Sequence, residues 1–232
     1  MPTRQKKSPP DARKFIRANT KLASPPLLPE LKIHLGEDID NFWVKSKEEV
    51  GEISQWLPYW AFAWNGGKAV ARYVLDHPEL VQGKHVLDIA SGSGIVAIAA
   101  AKAGAASVTG NDLDQLAVAA IGMNAAANKV KVKVVPRDVM GRAAPPPRKS
   151  YDVVLAGDVF YVQAIARKAR PFLERHAKAG ALVLIGDPGN TYIDRERLKR
   201  CAEYKFPHNG DLYQYRVHKT VVWELTPKQP QA

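Results

Sequence analysis

The chain carries a single cysteine, Cys201. That excludes a disulfide framework and any cysteine-built zinc site. Its 6 histidines show neither His-x-x-x-His nor acid-paired spacing. They read as structural or exposed, and no metal site is expected. No serine stands in a Gly-x-Ser-x-Gly elbow. Long apolar runs are missing too: the charge-free stretch around the main glycine cluster is only Ile89–Ala101, where a membrane helix needs about 20 residues. Prolines, not an apolar core, follow the basic N-terminus, so no secretory signal is read. No internal repeat is visible. These absences leave a soluble protein of a reducing compartment, expected to be cytoplasmic, or in the mitochondrial matrix if the source is eukaryotic. It is expected to act as a monomer away from membranes.

Acidic residues are scarce at the start. Residues 1–21 hold Arg4, Lys6, Lys7, Arg13, Lys14, Arg17 and Lys21 against Asp11 alone, so this segment supplies more than half of the net charge of +11. Such an arm can bind nucleic acid or be a solvated extension, and both readings stay open. An organellar transit peptide is a third reading, but Pro2, Pro9 and Pro10 argue against an amphipathic helix at the very start. With 232 residues, 46% of them hydrophobic, the chain suits one domain with an extension. The extension and lead-in are placed at 1–50 and the domain at 51–232.

Residues 1–12 read as disordered on composition, and Ala12–Lys21 as a short helix. Leu31, Ile33 and Leu35 alternate with polar residues as in a strand. A helix runs from Gly67 to His77-Pro78. Strands and helices then alternate. Strands are expected at His85–Ile89, Ser107–Gly110, Val130–Val135, Tyr151–Ala156 and Ala181–Gly186, with helices at Gly94–Ala103, Asp114–Asn128 and Val162–His176. Ala143–Lys149 reads as a Pro-rich loop. Ile193–Ala202 reads as a further helix, and Tyr213–Leu225 as one strand or two. Apolar strands alternating with helices define an α/β fold, a mostly parallel Rossmann-like sheet with helices on both faces. Ligands of such sheets bind at the carboxyl ends of the strands.

The segment Val86-Leu87-Asp88-Ile89-Ala90-Ser91-Gly92-Ser93-Gly94 leaves a strand and opens a helix. Its glycine spacing is not that of a dinucleotide loop, and Asp88 would repel a pyrophosphate. An acid there suits a cationic ligand, a sulfonium or an amino group. Asp112, 20 residues after Gly92, ends the second strand, where an acid can take both ribose hydroxyls. Asp138 follows the third strand and can accept from an adenine amino group. Three acids at three successive strand ends behind a glycine loop point to S-adenosylmethionine. Gly92 and Gly94 are its expected contacts in the loop.

At the fourth strand end stands Gly157-Asp158-Val159-Phe160-Tyr161. The Asp158 carboxylate and the Tyr161 hydroxyl can hold an amine there; alternatively, Asp158 caps the helix starting at Val162. Trp56, Trp60 and Trp64 recur every four residues with Tyr59 and Phe62 between them. Such spacing suits a packed helix face, but Pro58 and Asn65-Gly66-Gly67 break it. Trp64 is read as a cofactor contact. Trp60 is open between core packing and lining the cofactor or lysine channel.

These residues resemble the seven-stranded class I methyltransferases. More narrowly, the chain is similar to the protein-lysine methyltransferases of the electron transfer flavoprotein beta subunit. The resemblance rests on Phe15-Ile16-Arg17-Ala18-Asn19-Thr20, Pro58-Tyr59-Trp60-Ala61, Trp64-Asn65-Gly66-Gly67 and the Asp88–Gly94 loop. It continues in Asn111-Asp112-Leu113-Asp114, Gly157-Asp158-Val159-Phe160-Tyr161 and Ile185-Gly186-Asp187-Pro188-Gly189. It implies a seven-stranded methyltransferase sheet over 51–232 and S-adenosylmethionine converted to S-adenosylhomocysteine. The implied substrate is a lysine of the flavoprotein beta subunit. By position, Trp64, Asp88, Ala90, Gly92, Gly94, Asp112, Leu113, Asp138, Val139 and Gly157 would line the cofactor. Asp158 and Tyr161 would be catalytic, and Trp60, Phe160 and Tyr161 would face the substrate. Ala90 departs from the glycine usual in the class. The alternatives are a methyltransferase for another protein, such as a ribosomal protein, and a nucleic-acid methyltransferase. The basic tail invites the latter, but no Asn/Asp-Pro-Pro-Tyr turn supports it.

Overall fold

The computed structural model describes residues 11–37, 42, 44, 58–141, 151–206 and 218–227. Of the disorder expected over residues 1–12, residues 1–10 lie outside the described residues, as do Trp56, the Pro-rich loop at Ala143–Lys149 and the Tyr213–Val217 part of the last strand; Asp11 and Ala12 are ordered as the cap and first residue of a helix.

Helix α1 (Ala12–Asn19) is capped by Asp11, whose carboxylate accepts from the Arg13 and Lys14 N–H groups. Strands β1 (Lys21–Ala23) and β2 (Ile33–Leu35) pair antiparallel. Helix α2 (Asn65–Asp76) precedes the alternating segment of β3 (His85–Ile89), α3 (Ile95–Lys102), β4 (Ser107–Asn111), α4 (Gln115–Ala127), β5 (Lys133–Val135), β6 (Val153–Gly157), α5 (Gln163–Lys178) and β7 (Leu182–Asp187). Strands β8 (Leu198–Phe206) and β9 (His218–Leu225) follow. The main sheet has the order β5-β4-β3-β6-β7-β9-β8. Pairing is parallel from β5 through β7, and β9 runs antiparallel to both of its neighbours.

One expectation is overturned. Ile193–Ala202 is not a helix: its last five residues open strand β8. A bulge between Arg200 and Ala202 explains the misleading pattern. The extra residue breaks the alternation of two, so the partly buried Leu198, Cys201 and Ala202 fall three and four apart, as on a helix face. Past the bulge the alternation resumes, with Ala202, Tyr204 and Phe206 inward and Glu203 and Lys205 outward.

Burial accounts for the layers. Val153, Val154, Leu155 and Ala156 are all inaccessible, as a central parallel strand covered on both faces requires. On one face, Val70 and Val74 of α2 and Ile98 of α3 pack over Val86, Val108, Leu155 and Leu184. On the other, Ala169, Phe172 and Leu173 of α5 cover Leu87, Val154, Val183 and Ile185. Helix α1 packs Phe15 and Ile16 against Leu116, Ala117 and Ala120 of α4. Leu28, Leu31 and Ile33 join the α2 face, so the described lead-in belongs to the same body.

Two asparagines tie the lead-in down. Asn124 accepts from the His34 N–H at 2.8 Å, and Asn128 accepts from the Lys32 N–H at 2.9 Å. Asn128 also donates to the Lys32 carbonyl at 2.6 Å, while Asn124 donates to the Ser93 carbonyl at 2.8 Å. Backbone groups that a short two-stranded ribbon leaves unpaired thus find partners on α4.

Candidate active site

The chain winds from β3 toward β5 and then returns from β6 toward β8, so the topological switch lies between β3 and β6. Ligands of open α/β sheets bind in the crevice at that point. The two turns that flank it are Ala90–Gly94 and Gly157–Tyr161. Each holds a non-glycine residue in left-handed conformation: Ala90 at φ 48° and Asp158 at φ 54°. Such non-glycine residues cost on the order of 1 kcal/mol or more and cluster at functional sites.

Within the first turn, Gly92 and Gly94 also have positive φ, 54° and 82°, which glycine accepts without strain. Gly94 lies tight on α4: a Cβ there would be 3.3 Å from Ile121 Cα. Asp88 is buried (1% exposed) and faces inward, accepting from the Ser91 hydroxyl and, at 3.1 Å, from the Ala97 N–H. Burial pushes its carboxyl up to about 7. Asp88 therefore clamps the loop onto α3, with the Ser91 hydroxyl as its partner. Gly110 leaves room for that hydroxyl, since a Cβ there would be 3.2 Å from Ser91 Oγ.

Asp112 bridges the first two strand ends. It accepts from the Gly92 N–H at 2.8 Å and, through its other oxygen, from Leu113 N–H at 2.7 Å and Asp114 N–H at 3.0 Å. Burial raises its carboxyl above the ordinary range against those three bonds. Leu113 beside it is 53% exposed. Asn111 extends the frame, donating to the Val135 and Arg137 carbonyls at 2.7 and 2.8 Å. That fixes the turn bearing Asp138 and the half-buried Val139. Asp138 accepts from Lys168 at 2.8 Å and from Met140 N–H at 3.0 Å, and the Lys168 bond holds its carboxyl below the ordinary range.

At the second turn, four glycines decide the geometry. A Cβ on Gly157 would lie 2.7 Å from Gly67 Cα, and one on Gly186 would lie 2.0 Å from Gly66 O. A Cβ on Gly66 would lie 2.4 Å from Gly186 O and 2.6 Å from Asp158 Oδ2. The first turn of α2 thus rests directly on the ends of β6 and β7. Helix α2 has no side-chain cap of its own at Trp64. Asp158 supplies one from across the sheet, accepting from the Gly67 N–H at 2.9 Å.

Asp158 does cap a helix, then, but not the one expected: α5 starts after Val162 with no side-chain cap. Burial pushes the Asp158 carboxyl up to about 7; the Gly67 and Gly66 N–H groups and the Lys68 charge oppose that rise, and Asp187 adds to it. Nothing in the glycine spacing announced this junction. The Trp-Asn-Gly-Gly run before a helix was the available signal.

Aromatic rings form the rim. Tyr161, 36% exposed, meets Tyr59 with ring centroids 5.3 Å apart, and Tyr59 meets Trp64 at 5.7 Å. Trp64 is 41% exposed, with its indole N–H bound to the Tyr59 carbonyl at 2.9 Å. Burial raises the Tyr161 hydroxyl above its ordinary range, helped by Tyr59, Asp112 and Asp158, so Tyr161 stands within the field of both strand-end acids. Two residues expected to face substrate are placed otherwise. Trp60, in a 3-10 turn Tyr59–Ala61, is 1% exposed and packs edge-on against Phe42 at 5.5 Å. Phe160 is 4% exposed among the α5-facing core residues. Both rings are buried in the apolar interior, which is why neither lines the crevice.

Chemically, the crevice gathers carboxylates short of water, walled by half-exposed apolar side chains. Desolvated carboxylates are stabilised by cations, and Leu113 and Trp64 offer flat apolar surface. A Cβ at Gly92 would only touch Trp60 Cα at 3.8 Å; without one, the backbone there is open to a ligand. The residues fit a flat, partly cationic nucleoside.

This sheet order, with an antiparallel seventh strand and acids at successive strand ends, defines a class I methyltransferase. A solved structure of the same fold is the 16S rRNA N2 G1207 methyltransferase of T. thermophilus, with TM-score 0.56 and 16% identity, covering 90% of this chain and 50% of that one. Residues 73–184, just under half of the chain, match the family model described as ribosomal protein L11 methyltransferase. Similarity to the electron transfer flavoprotein beta subunit lysine methyltransferases extends much further. The Danio rerio protein is 34% identical over 94% of this chain and 84% of its own. The Xenopus laevis protein is 33% identical over 93% and 87%. The chain belongs to the electron transfer flavoprotein beta subunit lysine methyltransferase family.

Proposed function

We propose that this protein is an S-adenosylmethionine-dependent protein-lysine N-methyltransferase whose substrate is the electron transfer flavoprotein beta subunit. The observation that carries the reading is the Asp158 carboxylate, fixed at the topological switch by the first turn of α2, with Tyr161 in its field. Asp112, Leu113, Gly92, Gly94 and Trp64 would hold the cofactor's nucleoside and methionine parts, with Asp138 and Val139 beside the adenine. Asp88 and Ala90 shape the loop. When bound, S-adenosylmethionine supplies a methyl group on a positive sulfur that leaves with the bonding electron pair as a nucleophile attacks.

Lysine arrives protonated, with an ordinary pKa near 10.4. Its ammonium has no lone pair and is held by charge and hydrogen bonds to the Asp158 carboxylate, which the first turn of α2 fixes. The Tyr161 hydroxyl, kept neutral by its raised proton affinity, orients the amine. The proton is lost to water before transfer. The apolar rim favours the neutral amine by excluding solvent. Alignment of amine and methyl carbon then supplies much of the acceleration.

The test is a transfer assay with labelled S-adenosylmethionine, using recombinant flavoprotein beta subunit and ribosomal protein L11 in parallel. Methyl-lysine on the beta subunit supports the proposal. Label on L11 alone transfers the assignment to the other protein substrate, as the narrower family match would have it. Label on neither, with cofactor bound, overturns the substrate.

A further inference from the structure

Lysine is almost never fully buried in a protein unless something compensates its charge. Lys68 is 1% exposed. It is the fourth residue of α2, directly after the N–H that binds Asp158. Its ammonium lies over the Phe206 ring, 4.6 Å from the centroid. The aromatic face supplies part of the compensation. The acid at the same helix turn is Asp158, bound by the preceding Gly67 N–H, and the two charges act on each other.

The other groups packed on this helix lie elsewhere. Tyr204 of β8 donates to Asp76 at 3.3 Å, and Cys201 and Glu224 act on Tyr73. From the strand ends, Asp187 adds negative charge beside Asp158. Its own oxygens are engaged by Gly189, Asn190 and the Asn190 side chain. Tyr161, whose ring packs on Tyr59, also lies within the field of Asp158.

The placement has a chemical consequence, and it rests on the amine-methylating reading above. Two acids at the fourth and fifth strand ends would take up a proton or hold a substrate lysine permanently as ammonium. Neither state transfers a methyl group. A buried cation on the helix that Asp158 caps opposes both outcomes: it stabilises the ionised carboxylate and repels the proton on the incoming amine. We propose that Lys68 is a positioning residue that electrostatically keeps Asp158 ionised and drives the substrate lysine to its neutral, nucleophilic form. No bond to Lys68 is made or broken. The substrate proton still leaves to water.

Burial pushes the Lys68 ammonium down to about 8, against the pull of Asp158. Its influence therefore holds below about pH 8 and fades above.

The experiment is a pH profile of kcat/KM for methyl transfer, comparing wild type with Lys68→Met. Removing the cation raises the proton affinity of both Asp158 and the amine. The rising limb should move up by about one pH unit, with roughly tenfold slower transfer near pH 7 and convergence above pH 8. Cofactor affinity by calorimetry should be unchanged, and the melting temperature unchanged or higher, since a desolvated charge is gone. Lys68→Gln, which keeps a polar end, repeats the test should the methionine variant misfold. An unmoved limb in a folded variant overturns the proposal, whatever happens to stability. Absence of lysine methylation in the wild type would sink the underlying reading instead. A second readout needs no turnover: in nitrogen-15 lysine spectra, Asp158→Asn should lower the pH at which the Lys68 ammonium titrates. No change there also overturns the coupling.

Discussion

Gly67 and Asp158 stand 91 residues apart in the chain and are joined by a 2.9 Å hydrogen bond from the Gly67 N–H to the Asp158 carboxylate. The bond places an anion at the positive end of α2 and, in the same stroke, fixes that anion at the switch point of the sheet. The helix start and the carboxylate proposed to bind the amine are one device.

Replacing Asp158 separates its two duties. Asp158→Asn keeps an oxygen for Gly67 but loses the charge. It should keep its cofactor affinity and fold while transfer falls about a hundredfold or more. Asp158→Ala should lose transfer and, with the α2 amides left unpaired, about 1–3 kcal/mol of stability. Cofactor titration, turnover and denaturant midpoints read the three effects. Near wild-type turnover in the asparagine variant would remove Asp158 from the reaction.

The glycine junction is predicted to refuse even a methyl group. Gly66→Ala would drive its Cβ to 2.4 Å from Gly186 O, between backbones that cannot yield separately. A loss of about 1–3 kcal/mol and of most activity is expected. Gly122→Ala, in α4 with nothing within 4 Å of the added carbon, should instead stabilise by about 0.4–1 kcal/mol. Thermal melts of the pair decide it.

Trp60 and Trp64 should part company. Trp60→Ala empties a buried position and should cost about 3–5 kcal/mol. Trp64→Ala, at a half-exposed rim position, should change stability by less than about 1 kcal/mol and weaken cofactor or substrate binding. Calorimetric titration of the cofactor beside urea melts distinguishes the two. A Trp64 variant that binds and turns over normally would place that indole outside the site.

Stability should depend on pH through Asp88. An unfolded aspartate titrates near 3.9, and the buried one near 7. The native carboxyl holds its proton more tightly, so its stabilising contribution is whole below about pH 4 and is lost as pH rises to 7. Asp88→Asn should therefore gain on wild type across that window. Urea midpoints at pH 4.5, 6 and 7.5 measure the trend. A constant difference would show that the group does not titrate there.

The sheet was legible because its strands are short apolar runs ending in acids or glycines. His85–Ile89 reads directly as β3. Strand β8 was not, because the bulge at Arg200/Ala202 imitates helical spacing. The carboxylates of the site were visible as residue types at strand ends. Their partners were not, since Gly67 with Asp158, Ser91 with Asp88 and Asn111 with Arg137 are set by tertiary approach. Trp60 shows the same limit from the other side: periodicity cannot tell which of three tryptophans faces inward.

Asn124 links the His34 N–H of β2 to the Ser93 carbonyl in the glycine loop, and Asn128 holds Lys32 just before β2 while donating to the Asn124 carbonyl. A ligand that quiets that loop therefore quiets the lead-in as well. Amide exchange at Lys32 and His34, neither of which lies among the residues assigned to the cofactor, should slow when cofactor binds. The segment before the catalytic sheet thus works as a remote gauge of whether the crevice is filled.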